Sequence, residues 1–107
     1  MDARILDQLY QTVASRKGAD PSTSYTAKLY SKGRGKIAQK VGEEGVECVI
    51  AALSEGKEAL MAESADLFYH LLVLWADMGL NPEEVWAELA RREGVSGIDE
   101  KNARPKE

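Results

Sequence analysis

The residues able to do chemistry cluster between positions 40 and 70. Glu44 and Glu47 lie three apart, and so do Glu63 and Asp66. That spacing puts both members of a pair on one side of a helix. With Glu44 at zero on a 100° wheel, Lys40 falls at about −40°, Glu47 at about −60° and Glu43 at about −100°. With Glu63 at zero, Asp66 falls at about −60° and His70 at about −20°, with Leu67, Leu71 and Leu74 adjoining. Carboxylates gathered this way repel one another and are costly to desolvate. A divalent cation offsets both costs, and an oxygen-only set favours Mg²⁺ or Mn²⁺ over zinc. Each pair alone reads as decoration of a solvated helix face rather than as a ligand pair. Their recurrence on successive helices beside leucine stripes is what brings a metal site into view.

Other side chains carry two readings each. His70 is the chain's one histidine; it reads as a satisfied, half-buried polar residue or as a catalyst. Cys48 has no second cysteine and reads as a small packing residue. Trp75 and Trp86 read as core or subunit-interface anchors. Lys32, Arg34, Lys36 and Lys40 form a basic cluster that either neutralises phosphates or is an ordinary solvated face.

Four main helical patterns must position these groups, and no strand pattern stands out. The first spans about Ala3 to Arg16, with Ile5, Leu6, Leu9 and Val13 as its apolar stripe. Lys17-Gly18 and Asp20-Pro21 punctuate it. A turn-rich stretch follows, in which Thr26 is expected to cap a short helical turn holding Ala27, Leu29 and Tyr30. The second long helix is expected over about Lys36 to Leu53, with Ile37, Val41, Val49, Ile50 and Leu53 on its apolar side. Gly42 and Gly45 inside it point either to a close approach or to simple tolerance. Ser54-Glu55-Gly56 breaks the pattern. The third helix is expected from about Lys57 to Met78, burying Leu60, Leu67, Leu71, Leu74 and Met78, with Gly79 as its C-terminal cap. Asn81-Pro82-Glu83-Glu84 has the composition of a helix start, and the fourth helix ends near Arg92. Residues 94–107 read as a Gly- and charge-rich tail that orders only when docked. The expected architecture is an all-α helical bundle of four main helices in a single domain over residues 1–107.

Composition narrows the function classes. The chain has 107 residues, 44% hydrophobic and 30% charged, with 14 basic and 18 acidic residues and a formal charge of −4. That is one soluble domain with a core of marginal size, so completion by a second copy or a metal is expected. A mildly acidic chain is a poor general binder of nucleic acid or anionic membrane. The N-terminus is interrupted by charges and has no apolar segment of the signal-peptide kind, and the run Leu71–Ala76 is too short to span a bilayer.

The motif Lys40-Val-Gly-Glu43-Glu44-Gly-Val-Glu47, followed after 15 residues by Glu63-Ser-Ala-Asp66, resembles the signature of the all-α, MazG-like nucleoside triphosphate pyrophosphohydrolases. Ser24-Tyr25-Thr26 with Leu29, ahead of Gly35-Lys36-Ile37, resembles the corresponding segment of the phosphoribosyl-ATP pyrophosphatases. Ser96-Gly97-Ile98-Asp99-Glu100-Lys101 with Arg104-Pro105 resembles that family's ending. The resemblance implies Mg²⁺-dependent hydrolysis of 1-(5-phosphoribosyl)-ATP to 1-(5-phosphoribosyl)-AMP and pyrophosphate, the second step of histidine biosynthesis, in a cytoplasmic homodimer whose site draws on both subunits. It implies Glu44, Glu47, Glu63 and Asp66 as metal ligands, with Mn²⁺ as a substitute ion. Glu43 or Glu44 would orient or deprotonate water, and Lys40 would contact phosphate. Lys28, Arg34, Lys36 and Lys101 are further phosphate candidates. Tyr25 and Thr26 either build the nucleotide pocket or anchor the loop.

Two other readings use the same residues. One is a housecleaning pyrophosphohydrolase acting on other nucleoside triphosphates, which the acidic quartet alone does not separate from the first. The other is a non-enzymatic, dimerising helical module with a solvated acidic face.

Overall fold

A computed structural model of the chain describes residues 1–93. Five α-helices follow in order: α1 (Arg4–Ser15), α2 (Tyr25–Lys32), α3 (Arg34–Ile50), α4 (Lys57–Asp77) and α5 (Pro82–Arg92), with a π-helical turn over Ala51–Glu55 between α3 and α4. The described residues contain no strand. The all-α class is as expected. The helix count is one higher, because the anticipated short turn is a full eight-residue helix.

Three boundaries differ from the sequence reading for local reasons. Ser24, not Thr26, caps α2: its backbone is extended and its side chain accepts from the Ala27 amide. Thr26 is already helical and spends its hydroxyl on Tyr69. α3 starts at Arg34, two residues early, because Gly33 takes φ 92° and turns the chain directly from α2 into α3. The break before α4 falls at Gly56, with φ 113°, since Ala51–Glu55 continues as a wider turn in which the Gly56 amide donates to the Ala51 carbonyl at 2.8 Å.

The ends of α4 and α5 follow the sequence expectation. At the end of α4, Leu80 N–H donates to the Trp75 carbonyl and Gly79 N–H to that of Ala76, with Gly79 at φ 71°. Asn81 caps α5, and the Glu84 side chain reaches back to the Asn81 amide.

The core joins Val13 of α1, Leu29 of α2, Ile37 of α3 and Leu72, Val73 and Ala76 of α4. Tyr30 donates from its hydroxyl to the Val13 carbonyl at 2.9 Å and ties α2 to the end of α1. Trp86 stands edge-on to Trp75, centroids 5.9 Å apart, and its indole N–H donates to Asp7, so this side chain ties α5 to both α4 and α1.

The face of α4 that is buried is not the expected one. Leu72, Val73, Ala76 and His70 are buried, whereas Leu60, Leu67, Leu71 and Leu74 are half-buried and Met78 is exposed. α4 is apolar nearly all round, so periodicity alone does not choose its inner stripe; packing against α1 and α3 does. By length and composition α4 is apolar enough to cross a membrane, with mean hydropathy 1.2 over its best window, although no single apolar run in it is. Here it is the helix against which α1 and α3 pack.

On α3 only Ile37 is buried. Val49, Ile50 and Leu53, expected on its inner side, are exposed, as is Val46. Positions 46, 49, 50 and 53 form an i, i+3, i+4, i+7 stripe. Gly42 and Gly45 meet nothing among the described residues: the space a Cβ would occupy at either is open there, so neither serves a close contact with them.

Candidate metal and nucleotide site

α3 and α4 form a hairpin around the Ala51–Gly56 turn, and this hairpin brings together acidic groups far apart in sequence. Carboxylate oxygens of Glu44, Glu63 and Asp66 all lie within 4.8 Å of one another. Glu44 and Glu63 are half-buried and Asp66 is exposed, so the cluster opens to solvent on one side. Glu47, expected as a fourth ligand, is exposed and stands outside this triad. It remains near enough for its charge to act on Glu63.

The electrostatics follow from this crowding. Partial desolvation, and then the negative charges of Asp66, Glu47, Glu44 and Glu55, push the Glu63 carboxyl above the ordinary range. All donors are carboxylate oxygens, the hard ligand set that Mg²⁺ and Mn²⁺ take and that Zn²⁺ does not favour. The repulsion that raises Glu63 is what a bound divalent cation would relieve. On both counts the residues fit the ion.

Lys40 stands beside the triad, its Nζ 3.5 Å from Glu43 and 3.7 Å from Glu44. Burial works against its charge, but the Glu43 hydrogen bond and the charges of Tyr25, Glu43 and Glu44 outweigh this and hold its pKa above the usual lysine range. Glu43 is held low, first by the Gln39 amide at 2.9 Å, then by Lys40 and Lys36. Lys36 is thus on the site's side of α3.

Arg34 is not. It donates through Nε to Asp77 Oδ2 at 2.7 Å and through Nη2 to the Asp77 carbonyl, capping the end of α4. Asp77 lies eleven residues beyond Asp66, or about 16 Å along the helix. Lys28 is exposed on α2. Lys101 and the tail motif lie outside the described residues.

An aromatic group adjoins the acids. Tyr25 and Tyr69 stack at 6.3 Å between centroids, and His70 meets Tyr69 edge-on at 5.0 Å and Tyr25 edge-on at 6.3 Å. Thr26 is bonded to Tyr69, which supports an anchoring role, whereas Tyr25 is more than half exposed. Sequence reasoning missed Tyr69, Gln39 and Asp77. Gln39 was within reach of a spacing argument, since it stands four residues before Glu43. Tyr69 and Asp77 act across elements and leave no local signal.

Comparison with known proteins adds the family. A profile described as phosphoribosyl-ATP pyrophosphohydrolase matches residues 6–93. A protein of Paramagnetospirillum magneticum named phosphoribosyl-ATP pyrophosphatase is 69% identical over 105 residues, covering 98% of this chain and 96% of its own. Proteins of the same name from Azospirillum brasilense and Rhodospirillum rubrum are each 65% identical, the alignments covering 97% and 95% of this chain and 94% and 87% of theirs. With the acidic hairpin in place and a match along nearly its whole length, the chain belongs to the phosphoribosyl-ATP pyrophosphohydrolase family.

Proposed function

We propose that this protein hydrolyses 1-(5-phosphoribosyl)-ATP to 1-(5-phosphoribosyl)-AMP and pyrophosphate, the second step of histidine biosynthesis, using Mg²⁺ with Mn²⁺ as a substitute. The observation that carries this reading is the convergence of Glu44, Glu63 and Asp66 beside Lys40. Water attacks the α-phosphorus and the bond to the β-phosphate breaks, expelling pyrophosphate. Glu44, Glu63 and Asp66 would hold the ion, with Glu47 lending its charge from outside the triad. When bound, the ion neutralises phosphate charge that would otherwise be repelled by a chain of net charge −4.

The protein's own groups do the positioning. Lys40 exchanges its contacts with Glu43 and Glu44 for a phosphate oxygen. Lys36 lies farther along the same side of α3 and adds positive charge. Glu43, outside the triad and held in its ionised form, accepts a hydrogen bond from the attacking water and orients it. Its lowered pKa makes it a better orienting group than a base. Tyr25 offers its exposed ring to the nucleoside.

We also propose that a second copy of the chain covers the Val46, Val49, Ile50 and Leu53 stripe together with Met61 and Phe68 of α4, giving a cytoplasmic homodimer. These six side chains are between 43% and 81% exposed, too much apolar surface for so small a core to leave in water.

Pyrophosphate release from phosphoribosyl-ATP, measured against ordinary ribo- and deoxyribonucleoside triphosphates with and without Mg²⁺, tests the activity. Preference for phosphoribosyl-ATP supports the reading. Equal or better turnover of the ordinary nucleotides assigns the site to a different substrate.

A further inference from the structure

His70 is the buried polar residue to which the reading above gives no task. It is 6% exposed, and its Nδ1 lies 2.9 Å from the Asp66 carbonyl oxygen. A carbonyl oxygen only accepts, so the proton of that bond sits on Nδ1. In the tautomer with that one proton, Nε2 is an acceptor, and it is buried with no hydrogen-bond partner among the described residues. An unmet buried acceptor is a net cost to folding. A side chain kept only for packing would avoid that cost.

The surroundings narrow what can reach the lone pair. His70 is one helical turn beyond Asp66, about 6 Å along α4, on the side of the helix that carries Glu63 and Asp66. Two tyrosine rings stand edge-on to it. Tyr69 is pinned by Thr26. Tyr25 is 55% exposed, and its hydroxyl has no hydrogen-bond partner among the described residues. Tyr25 is therefore the cover that a ligand can turn aside.

Taking the proposed function as its basis, we infer that His70 determines specificity for the sugar: its Nε2 accepts a hydrogen bond from a hydroxyl of the ribose that bears the triphosphate. A lone pair repels phosphate oxygens, so the partner is a donor. In a nucleotide held by its phosphates at the carboxylate cluster, the nearest donors are the 2′ and 3′ hydroxyls, one sugar ring from the α-phosphate. One helical turn separates Asp66 from His70, and one sugar ring separates phosphate from hydroxyl.

The single histidine makes the test direct. Protein labelled with ¹⁵N in histidine is titrated, with Mg²⁺ present, with phosphoribosyl-AMP and with its 2′-deoxy and 3′-deoxy forms. The expected free protein carries the proton on Nδ1 and none on Nε2. The ribose product then moves the Nε2 resonance to a hydrogen-bonded position, and one deoxy form does not. A protonated Nε2 in the free protein, or the same response to all three ligands, overturns the proposal. In kinetics, wild type favours phosphoribosyl-ATP over the matching deoxy substrate by about tenfold or more in kcat/KM, the worth of one such hydrogen bond. His70→Phe fills the ring's volume and loses the preference, and His70→Gln, which restores an acceptor, recovers part of it. A preference that survives His70→Phe also overturns the proposal. Failure of the wild type to release pyrophosphate from phosphoribosyl-ATP is a separate result: it removes the proposed function, and the product titration still decides the role of His70.

Discussion

Glu44 on α3 and Glu63 on α4 bring carboxylate oxygens within 4.8 Å of each other, although 18 residues separate them in the chain. Each is half-buried. Two like charges at that range are unfavourable in the free protein, and the hairpin holds them there regardless. The account of the site's chemistry grows from this arrangement.

Removing one ligand tests it by activity. Glu44→Gln, Glu63→Gln and Asp66→Asn each lower pyrophosphate release by more than about 100-fold, the upper range for residues that merely support a metal ligand. Circular dichroism remains that of the wild type, because none of the three belongs to the core. Glu47→Gln falls less steeply, since Glu47 stands outside the triad.

Stability responds to the ion in the opposite sense to the free protein. In chelator, Glu63→Gln melts at or above the wild-type temperature, because crowding by Asp66, Glu47 and Glu44 is relieved. With Mg²⁺ at a hundred times its dissociation constant, the wild type gains about 2.7 kcal/mol and the variant gains less. Thermal melts in EDTA and in Mg²⁺ read both arms.

Lys40 and Arg34 separate by function. Lys40→Met loses a charge-assisted phosphate contact worth about 1.5–3 kcal/mol, roughly ten- to a hundredfold in kcat/KM. Arg34→Ala loses the Asp77 pair at the far end of α4 and lowers the melting temperature while kcat/KM stays unchanged. Steady-state kinetics and a melt on both variants distinguish a site residue from a helix cap.

Acid sensitivity has a named contributor on α5. Hydrogen bonds from Arg91 and then Arg92 lower the Glu88 carboxyl from 4.5 to about 2. A lowered folded-state pKa adds stability that is fully present above pH 4.5 and is lost as pH falls through about 2. Glu88→Gln lacks that dependence, so its unfolding free energy falls less steeply than wild type over the same window. The groups are exposed, and the difference is correspondingly small.

Covering of the apolar stripe is tested by Leu53→Glu, at the most exposed of its positions. Sedimentation velocity on the wild type is expected to show a dimer, and on the variant a monomer with its helical signal intact.

Local signals carried most of the fold. The capping box at Asn81, the glycine cap at Gly79 and the acid pairs on α3 and α4 were all legible, because each depends on neighbours within a turn or two. The inner face of α4 was not, because a helix apolar nearly all round takes its orientation from its packing partners. Nor was the fate of Arg34, whose partner Asp77 is 43 positions away. Four acids were expected as one set, and three gather. Wheel angles order side chains around one helix and do not measure distances between two.

Isothermal titration of the metal-free protein with Mg²⁺ tests the central claim most directly. The account predicts saturable binding in the wild type, strongly weakened in Glu44→Gln on one helix and in Glu63→Gln on the other. Wild-type affinity for Mg²⁺ in either folded variant would contradict it.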